Sequence, residues 1–475
     1  VKRVVIAGAV AALLSACSLA PPYVAPKLDQ TVAAYKEAGD WAPAAPADDK
    51  PRADWWQAFG DTKLNELQGQ LRADNPDLRG ALARFEQARA VAGEARSQQY
   101  PQLNANASAI RGRESANAPN TLGAGKTGND FVTSLSVAWQ IDLFGRLRNA
   151  TAAANARAQG SAADLAALDL SLQGELATDY FTLRGDDSTV KLLEDSVAQF
   201  DIAWEQTRRR YDTGVSAATD VDQADTLRQN ARAQLAATRL QRAQLEHAIA
   251  VLVGVPPSTF TLAAAPLVGD PPTLTVGLPS TLLERRPDVA SAEREVAAAN
   301  AGIGIARAAW FPVFSLQAAV AGFESTAAAN WIGAPSRFWS VGPGGQLPLL
   351  DVGGRSALNR QARAAYDESV DAYRKTALTA YREVEDGLVA VRRLSEEQAA
   401  DLAAAKSAQS AAYHADERYA AGVADYIEVT TTHTAALAAQ SAALATQAAR
   451  LNAAVALVQA LGGGWTPDQM KTPRL

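Results

Sequence analysis

The chain has 475 residues, with 45 Lys and Arg against 51 Asp and Glu, a net charge of −6 and a single cysteine. One cysteine excludes an intrachain disulfide and a Cys-cluster metal site, and scattered basic residues under a negative balance exclude the clustered basic face that nucleic acid requires. Hydrophobic residues make up 48% of the chain but aromatics only 7%, so the apolar content is dominated by alanine, which favours helices that approach one another closely.

At the N-terminus, Lys2 and Arg3 precede an apolar stretch over residues 4–14, followed by Ser15-Ala16-Cys17. A basic start, a short apolar core and small residues describe a secretory signal too short to span a bilayer as a helix. Leu14-Ser15-Ala16-Cys17 resembles a bacterial lipobox, in which the Cys17 thiol takes a diacylglycerol and becomes the first residue after cleavage. Ser18 in the following position favours the outer membrane over retention at the inner one. Residues 18–54 are rich in Pro, Ala and Asp and read as an extended tether. No later run of about twenty apolar residues occurs, so no internal transmembrane helix is expected; strands can cross a bilayer on a much weaker signal.

The rest of the chain is an internal repeat. Asn75-Pro76-Asp77-Leu78 answers Arg286-Pro287-Asp288-Val289, and Tyr100-Pro101 answers Phe311-Pro312 at the same offset. Asp142-Leu143-Phe144-Gly145-Arg146 answers Asp351-Val352-Gly353-Gly354-Arg355. Tyr211-Asp212-Thr213-Gly214-Val215 answers Tyr419-Ala420-Ala421-Gly422-Val423, and Val253-Gly254 answers Leu461-Gly462. Five matches in order make a duplicated unit. The expected organisation is a signal peptide over 1–16, a lipidated extended segment over 17–60, repeat 1 over 61–270, repeat 2 over 271–464 and a tail over 465–475.

Each repeat predicts the same elements. A helix runs to about residue 99 or 310 and is stopped by Pro101 or Pro312. Strands follow at 102–113 and 131–141, then at 313–323 and 337–349. The clearest is 131–141, where Phe131, Leu135, Val137, Trp139 and Ile141 alternate with a mostly polar face. A helix from about Arg146 to Tyr211 would be roughly 100 Å long. Its last part carries Val190, Leu193, Val197, Phe200, Trp204, Thr207 and Tyr211 at three-four spacing, and Val370, Tyr373, Ala377, Ala380 and Val384 begin its counterpart. Sustained spacing of this kind means coiled-coil packing against equally long neighbours.

The fold class is therefore mostly α with a small β part, built from duplicated long helical hairpins. Four strands cannot close a membrane barrel alone, because barrels begin at about eight and an open edge in lipid leaves backbone groups unpaired. If the strands span, several chains must share one barrel.

Several stretches carry a family resemblance. Residues 286–312, opening Arg286-Pro287-Asp288-Val289 and closing Ala308-Ala309-Trp310-Phe311-Pro312, resemble the signature of TolC-like outer-membrane efflux factors. So do Trp55-Trp56-Gln57-Ala58-Phe59, residues 347–354, and Tyr211-x-x-Gly214-Val215-x-x-x-Thr219-Asp220-Val221. The nearest branch is the lipoprotein one that serves resistance-nodulation-division pumps. The resemblance implies a homotrimer with a shared twelve-stranded β-barrel and a periplasmic α-barrel, anchored in outer-membrane lipid of a Gram-negative bacterium. It also implies a periplasmic adaptor and an inner-membrane pump as partners, a passive exit duct for small toxic compounds as function, and no enzyme activity.

On that resemblance the functional hot spot is the pair of helix-turn-helix tips: Tyr211, Gly214, Thr219 and Asp220 in repeat 1, and Tyr419, Gly422, Ile427, Glu428 and Thr431 in repeat 2. Glycine suits a turn that needs positive φ or close approach by a partner. Asp220 matches a tip aspartate of the family, and Asp425-x-x-Glu428 reads as a capping box. Thr431 stands where the family often has an acidic residue, and Ala424 where some members carry arginine, so the constriction at Ile427 and Thr431 is expected to be less acidic. A duct for protein export by a type I system, and a non-conducting trimeric coiled-coil lipoprotein, are the alternatives. The lipobox argues against the first and the alternating strand against the second.

Cofactor chemistry is not expected. His247, His414 and His433 form no helical metal pair with one another or with Cys17. Residues 120–127 imitate a phosphate loop but begin with Asn120, and a strand follows where a helix is required. Gly302-x-Gly304 lacks a third glycine and lies inside a helix.

Overall fold

The computed structural model describes residues 18–27, 34–38, 54–113, 115–117, 125–272 and 285–470. Cys17, the signal segment before it, most of the tether and residues 120–124 lie outside them. Among the described residues the order is α1 (Thr62–Asp74), α2 (Pro76–Ser97), β1 (Gln102–Arg113), β2 (Thr127–Ile141), α3 (Arg146–Asp212), α4 (Ala218–Leu252), α5 (Pro287–Ala308), β3 (Val313–Ser325), β4 (Arg337–Gln346), α6 (Gly354–Ala420) and α7 (Tyr426–Ala460). No helix among them is long and apolar enough to cross a membrane.

The repeat survives in length. Helices α2 and α5 each have 22 residues, α3 and α6 each have 67, and α4 and α7 each have 35. Some predicted bounds shift. The first helix is divided at Asn75-Pro76, because proline cannot donate into the preceding turn but fits the first position of a new one. β2 begins earlier, at Thr127, and β4 stops at Gln346, so Leu347, Leu349 and Leu350 are exposed chain rather than strand.

The described residues fall into two compact units, one within 18–27, 84–161 and 291–374, the other within 34–83, 162–290 and 375–470. Each takes corresponding segments from both repeats.

The first unit holds the sheet, an antiparallel meander in the order β1-β2-β3-β4. Directly paired residues share a face. Leu103, Ala105, Ala107 and Ala109 of β1 stand opposite Val137, Leu135, Thr133 and Phe131 of β2. Ile141, Trp139 and Val137 in turn meet Phe314, Leu316 and Ala318 of β3. The register shifts between Leu135 and Ser136, where β3 inserts Val320 as a bulge. The inserted residue keeps Ala321 and Phe323 on the apolar side, opposite Leu135 and Thr133; without it their phase would reverse. The opposite face carries Asn104, Asn106, Ser134, Ser136, Gln140, Ser315 and Gln317, with Asn106 Nδ2 donating to Ser136 Oγ at 2.9 Å. Beneath the sheet, helices meet through alanine: Ala153 and Ala156 against Ala298 and Ala301, and Ala92 against Ala154 and Ala158.

The second unit has the aromatic core. Trp55, Trp56, Leu64, Leu67, Leu71, Leu176, Tyr180, Phe181, Leu183 and Ile249 are buried together. Asp61 caps α1 by accepting from Lys63 N and Leu64 N, and its other oxygen accepts from Tyr180 OH at 2.8 Å. The three-four stripe of α3 does pack: Leu193 and Phe200 meet Leu227, Ala231 and Leu235 of α4 and Leu437 of α7. On the part of α6 in this unit, Ala377, Ala380, Val384 and Leu388 are buried.

Both hairpins end in the same junction. Gly254 and Gly462 sit at φ +75° and +89°. A Cβ on either would lie 2.5 Å from the Asp74 carbonyl oxygen or 2.2 Å from that of Arg285. Only glycine supplies the backbone angle and the space at once.

Candidate functional site

The tips are built by identical backbone chemistry. In the first, Gly214 N donates to Tyr211 O and Val215 N to Arg210 O, both at 2.8 Å. In the second, Gly422 N donates to Tyr419 O and Val423 N to Arg418 O, both at 3.0 Å. This is a Schellman ending with glycine in the left-handed position, at φ +76° and +74°. Nothing lies within 4 Å of a Cβ built on either glycine. Within this chain both turns present bare, accessible backbone.

The side chains then lock one tip to the other. Ser216 Oγ lies 3.3 Å from Tyr419 OH, and the Arg210 guanidinium stands 4.8 Å over the Tyr419 ring. Tyr419 meets Tyr426 edge-on at 5.0 Å, above a buried cluster of Ala224, Ala415, Tyr426 and Val429. Burial pushes the Tyr426 phenol up to about 12, with the Tyr419, Asp416 and Asp220 side chains adding to the effect and the Thr207 hydroxyl opposing it. Arg228 stacks over Trp204 at 4.0 Å, and His433 Nε2 lies 2.9 Å from Asp416 while meeting Phe200 edge-on.

The sequence-derived tip residues divide into two sets. Tyr419 and Glu428 lie in the contact network. Tyr211, Gly214, Thr219, Gly422, Ile427 and Thr431 are exposed, and Asp220 is half-buried near Tyr426. The expected capping box is absent. Asp425 is the N-cap of α7 but makes no side-chain cap bond. Glu428 instead pairs with Arg418 of α6 at 3.2 Å. Thr431 donates its hydroxyl to the Ile427 carbonyl at 2.7 Å. That bond satisfies the hydroxyl within its own helix, and beside the exposed Ile427 side chain it leaves a weakly polar strip.

Sequence reading missed Ser216, Arg210 and Tyr426, and placed Trp204 only in the packing stripe of α3. A size comparison between repeats would have flagged two of them, since Trp204 answers Ala412 and Tyr426 answers Ala218. Large and small exchange places where the two hairpins pack.

In the sheet, one face suits hydrocarbon and the other water. Aromatic side chains stand at both ends of the apolar face: Phe131 against Trp331 at 5.5 Å, and Phe144 stacked on Phe311 at 4.6 Å. The strands have 10–15 residues, enough for a tilted crossing. The outer edges of β1 and β4 have no strand partner among the described residues.

A third feature concerns the start of the described chain. Residues 18–23 lie along α3 and α5 as a strap. Ser18 Oγ donates to Asn149 Oδ1 at 3.0 Å, Arg307 Nη1 to Leu19 O at 3.1 Å, and Asn300 Nδ2 to Pro21 O at 2.9 Å. Tyr23 OH bonds Glu293. A Cβ on Gly304 would lie 2.7 Å from Ala20 Cβ and 2.4 Å from Asn149 Nδ2, so glycine leaves the room the strap occupies. The strap begins one residue after Cys17.

Comparison with known proteins agrees with this architecture. The family model described as outer membrane efflux protein matches residues 67–255 and 278–463, once in each repeat. The chain is 32% identical over 458 residues to the antibiotic efflux pump outer membrane protein ArpC of Pseudomonas putida, covering 95% of this chain and 94% of that one. It is 31% identical to the toluene efflux pump outer membrane protein TtgC, also of Pseudomonas putida, with the same coverage. Among solved structures, the outer-membrane channel OprN superposes with a TM-score of 0.86 at 29% identity, over 94% of this chain and 100% of that one.

Proposed function

The chain belongs to the outer membrane efflux protein family, and on that premise we propose that three copies assemble into a passive exit duct for small toxic compounds. Each copy contributes four strands to a twelve-stranded barrel in the outer membrane, and its two helical hairpins to a hollow periplasmic barrel. The tips dock a periplasmic adaptor, which links the duct to an inner-membrane pump of the resistance-nodulation-division type. Cys17 carries the lipid that anchors the assembly in the outer membrane.

The observation that carries this reading is the sheet. It has one apolar face, one polar face and two open edges, and in hydrocarbon an open edge leaves several kcal/mol of unsatisfied backbone at each group. Only closure with other copies removes those edges. The names of the relatives, an antibiotic and a toluene efflux component, support antibiotics and small hydrophobic solvents as cargo class.

The test combines conductance with susceptibility. Purified protein in a planar bilayer is expected to give discrete channel steps, and deletion of its gene to raise sensitivity to toluene or to amphiphilic antibiotics. Absence of channel steps from a folded oligomer, together with unchanged sensitivity, would overturn the reading.

A further inference from the structure

Resting on the reading that copies complete the sheet, we propose that the chain's own repeat sets the register of the seam: Gly345, Leu347 and Leu349 stand opposite Ala107, Ala105 and Leu103 of the neighbouring copy. Val352 then packs on Tyr100 of that copy.

The derivation starts from a junction already present. Inside one chain, β2 of repeat 1 pairs with β3 of repeat 2, so the contact between repeats is made once in full view. There Val137, Trp139 and Ile141 stand opposite Ala318, Leu316 and Phe314. Just beyond the strand, Phe144 stacks on Phe311. The second contact between repeats, β4 with a β1, has no counterpart within the chain. If copies meet, it repeats the first.

Two offsets carry one junction onto the other. β1 and β3 begin at Gln102 and Val313, 211 positions apart. The glycines of positive φ after β2 and β4, Gly145 and Gly353, are 208 positions apart, and so are Ala138 and Gln346, which stand opposite Gln102 and Val313; the Asp142 and Asp351 motifs, matched at 209 in sequence, are one position out of step with this. The β2-to-β4 offset must be even, because Val341 and Pro343 share a face with Val137 and Trp139 through Ala318 and Leu316. An odd offset would turn every side chain to the wrong face. With 208, Trp139 maps to Leu347, Ile141 to Leu349 and Phe144 to Val352. With 211, Leu316 maps to Ala105, Phe314 to Leu103 and Phe311 to Tyr100. The pairs stated above follow, and every one is apolar on both sides.

Exposure agrees with this assignment. Leu349 is 87% exposed and Val352 94%, whereas their repeat-1 counterparts Ile141 and Phe144 are half-covered by β3 and Phe311. Leu103 and Tyr100 are exposed as well. Val352 sits at φ +48°, unfavourable for a β-branched residue, on the linker that the seam would cover. β4 itself is rich in glycine, with Gly342, Gly344 and Gly345 around Pro343, so it specifies its register weakly. The leucines that follow it supply what the strand lacks.

The test is disulfide formation between copies in the full-length protein in outer membranes, with the parent chain and single variants as controls for Cys17. L347C combined with A105C, and Q346C combined with N106C, sample both faces, and one of the two is a close, non-hydrogen-bonded pair. β1 and β4 occupy opposite edges of one sheet, so a bond between them joins different copies and yields covalent dimers and trimers. The shifted pairs, L347C with L103C and L347C with A107C, place Cβ atoms about 7 Å apart, beyond disulfide reach, and should give at least about tenfold less product. Preferential crosslinking of a shifted pair would overturn the register. Failure of every β1–β4 pair in a protein that still forms oligomers would overturn the seam. A protein that remains monomeric and gives no channel steps would instead overturn the functional reading beneath it.

Discussion

Asn75 and Arg286 occupy the same place in the two repeats and hold corresponding carbonyls by different means. Asn75 Nδ2 donates to Leu252 O at 2.8 Å, and Arg286 Nη1 donates to Ala460 O at 3.3 Å. Each therefore ties the start of its repeat to the end of its long hairpin. Asn75 also caps α2, accepting from Asp77 N and Leu78 N. Arg286 instead forks onto Asp288 and reaches Glu383 at 2.6 Å.

The two ties should differ in strength. Arg286 is buried and donates to two carboxylates and a carbonyl; because Asp288 and Glu383 are more than a third exposed and regain water, its removal costs about 2–3 kcal/mol, less than breaking a fully buried pair. Asn75→Ala removes a cap and one buried bond, about 1–2 kcal/mol. Thermal unfolding in detergent should rank Arg286→Ala below Asn75→Ala. Arg286→Lys should recover only part of the loss, since lysine cannot fork. The reverse order would show that the ion pairs contribute nothing net.

Glycines of equal backbone angle should respond unequally. Gly462→Ala drives a Cβ into the Arg285 carbonyl, and Gly254→Ala into that of Asp74, so both should abolish stable folding. Gly214→Ala and Gly422→Ala meet nothing and carry only the left-handed penalty, about 1–2 kcal/mol. Gly422→Leu should therefore leave folded, membrane-inserted protein while lowering drug resistance, because its bulk is felt by a partner. Unchanged resistance with this variant would count against the tip as the docking point.

Much of this was legible in the sequence, and the rest failed for identifiable reasons. The alternation from Phe131 to Ile141 and the stripe through Leu193 and Phe200 are local periodicities, and the structure contains both. The Val320 bulge is invisible in one strand, because its phase change has meaning only against Leu135 and Ser136. Glu428 was assigned to a local cap, yet Arg418, ten residues away on the facing helix, takes it. Gly304 stood out in the sequence only as half of an incomplete Gly-x-Gly pair inside a helix. Its use is steric, and the strap it admits lies nearly three hundred residues earlier in the chain.

Acidity should reveal a half-buried carboxyl on α3. Burial, with Glu175 adding to it, pushes the Asp179 carboxyl from its ordinary 3.8 to about 6. The folded chain thus holds this proton more tightly than the unfolded one. Its contribution is favourable below pH 4, falls as pH rises to about 6, and is flat above. The displacement corresponds to about 3 kcal/mol unscreened, and partial exposure reduces that to about 1. Asp179→Asn should raise the unfolding midpoint at pH 7.5 and leave it unchanged at pH 4. A gain equal at both values would point to packing instead of charge.

The lipid anchor and the strap should be separable. Cys17→Ala should abolish labelling by a palmitate analogue while leaving oligomers in detergent extracts; disappearance of oligomers would contradict that independence. Gly304→Leu should displace residues 18–23 and expose them to added protease, with acylation retained. Protection equal to the parent chain would show that the strap does not need the space at Gly304.

The paired helix lengths bear on how such a chain can evolve. The Ser216–Tyr419 contact joins the turn that follows one 67-residue helix to the last turn of the other, from different repeats. Deleting seven residues from one helix alone would withdraw its tip by about 10 Å and break that contact. The halves are therefore bound as the two blades of a pair of scissors are. Their sequences are free to drift apart, as Asn75 and Arg286 have, but insertions and deletions survive only when made twice.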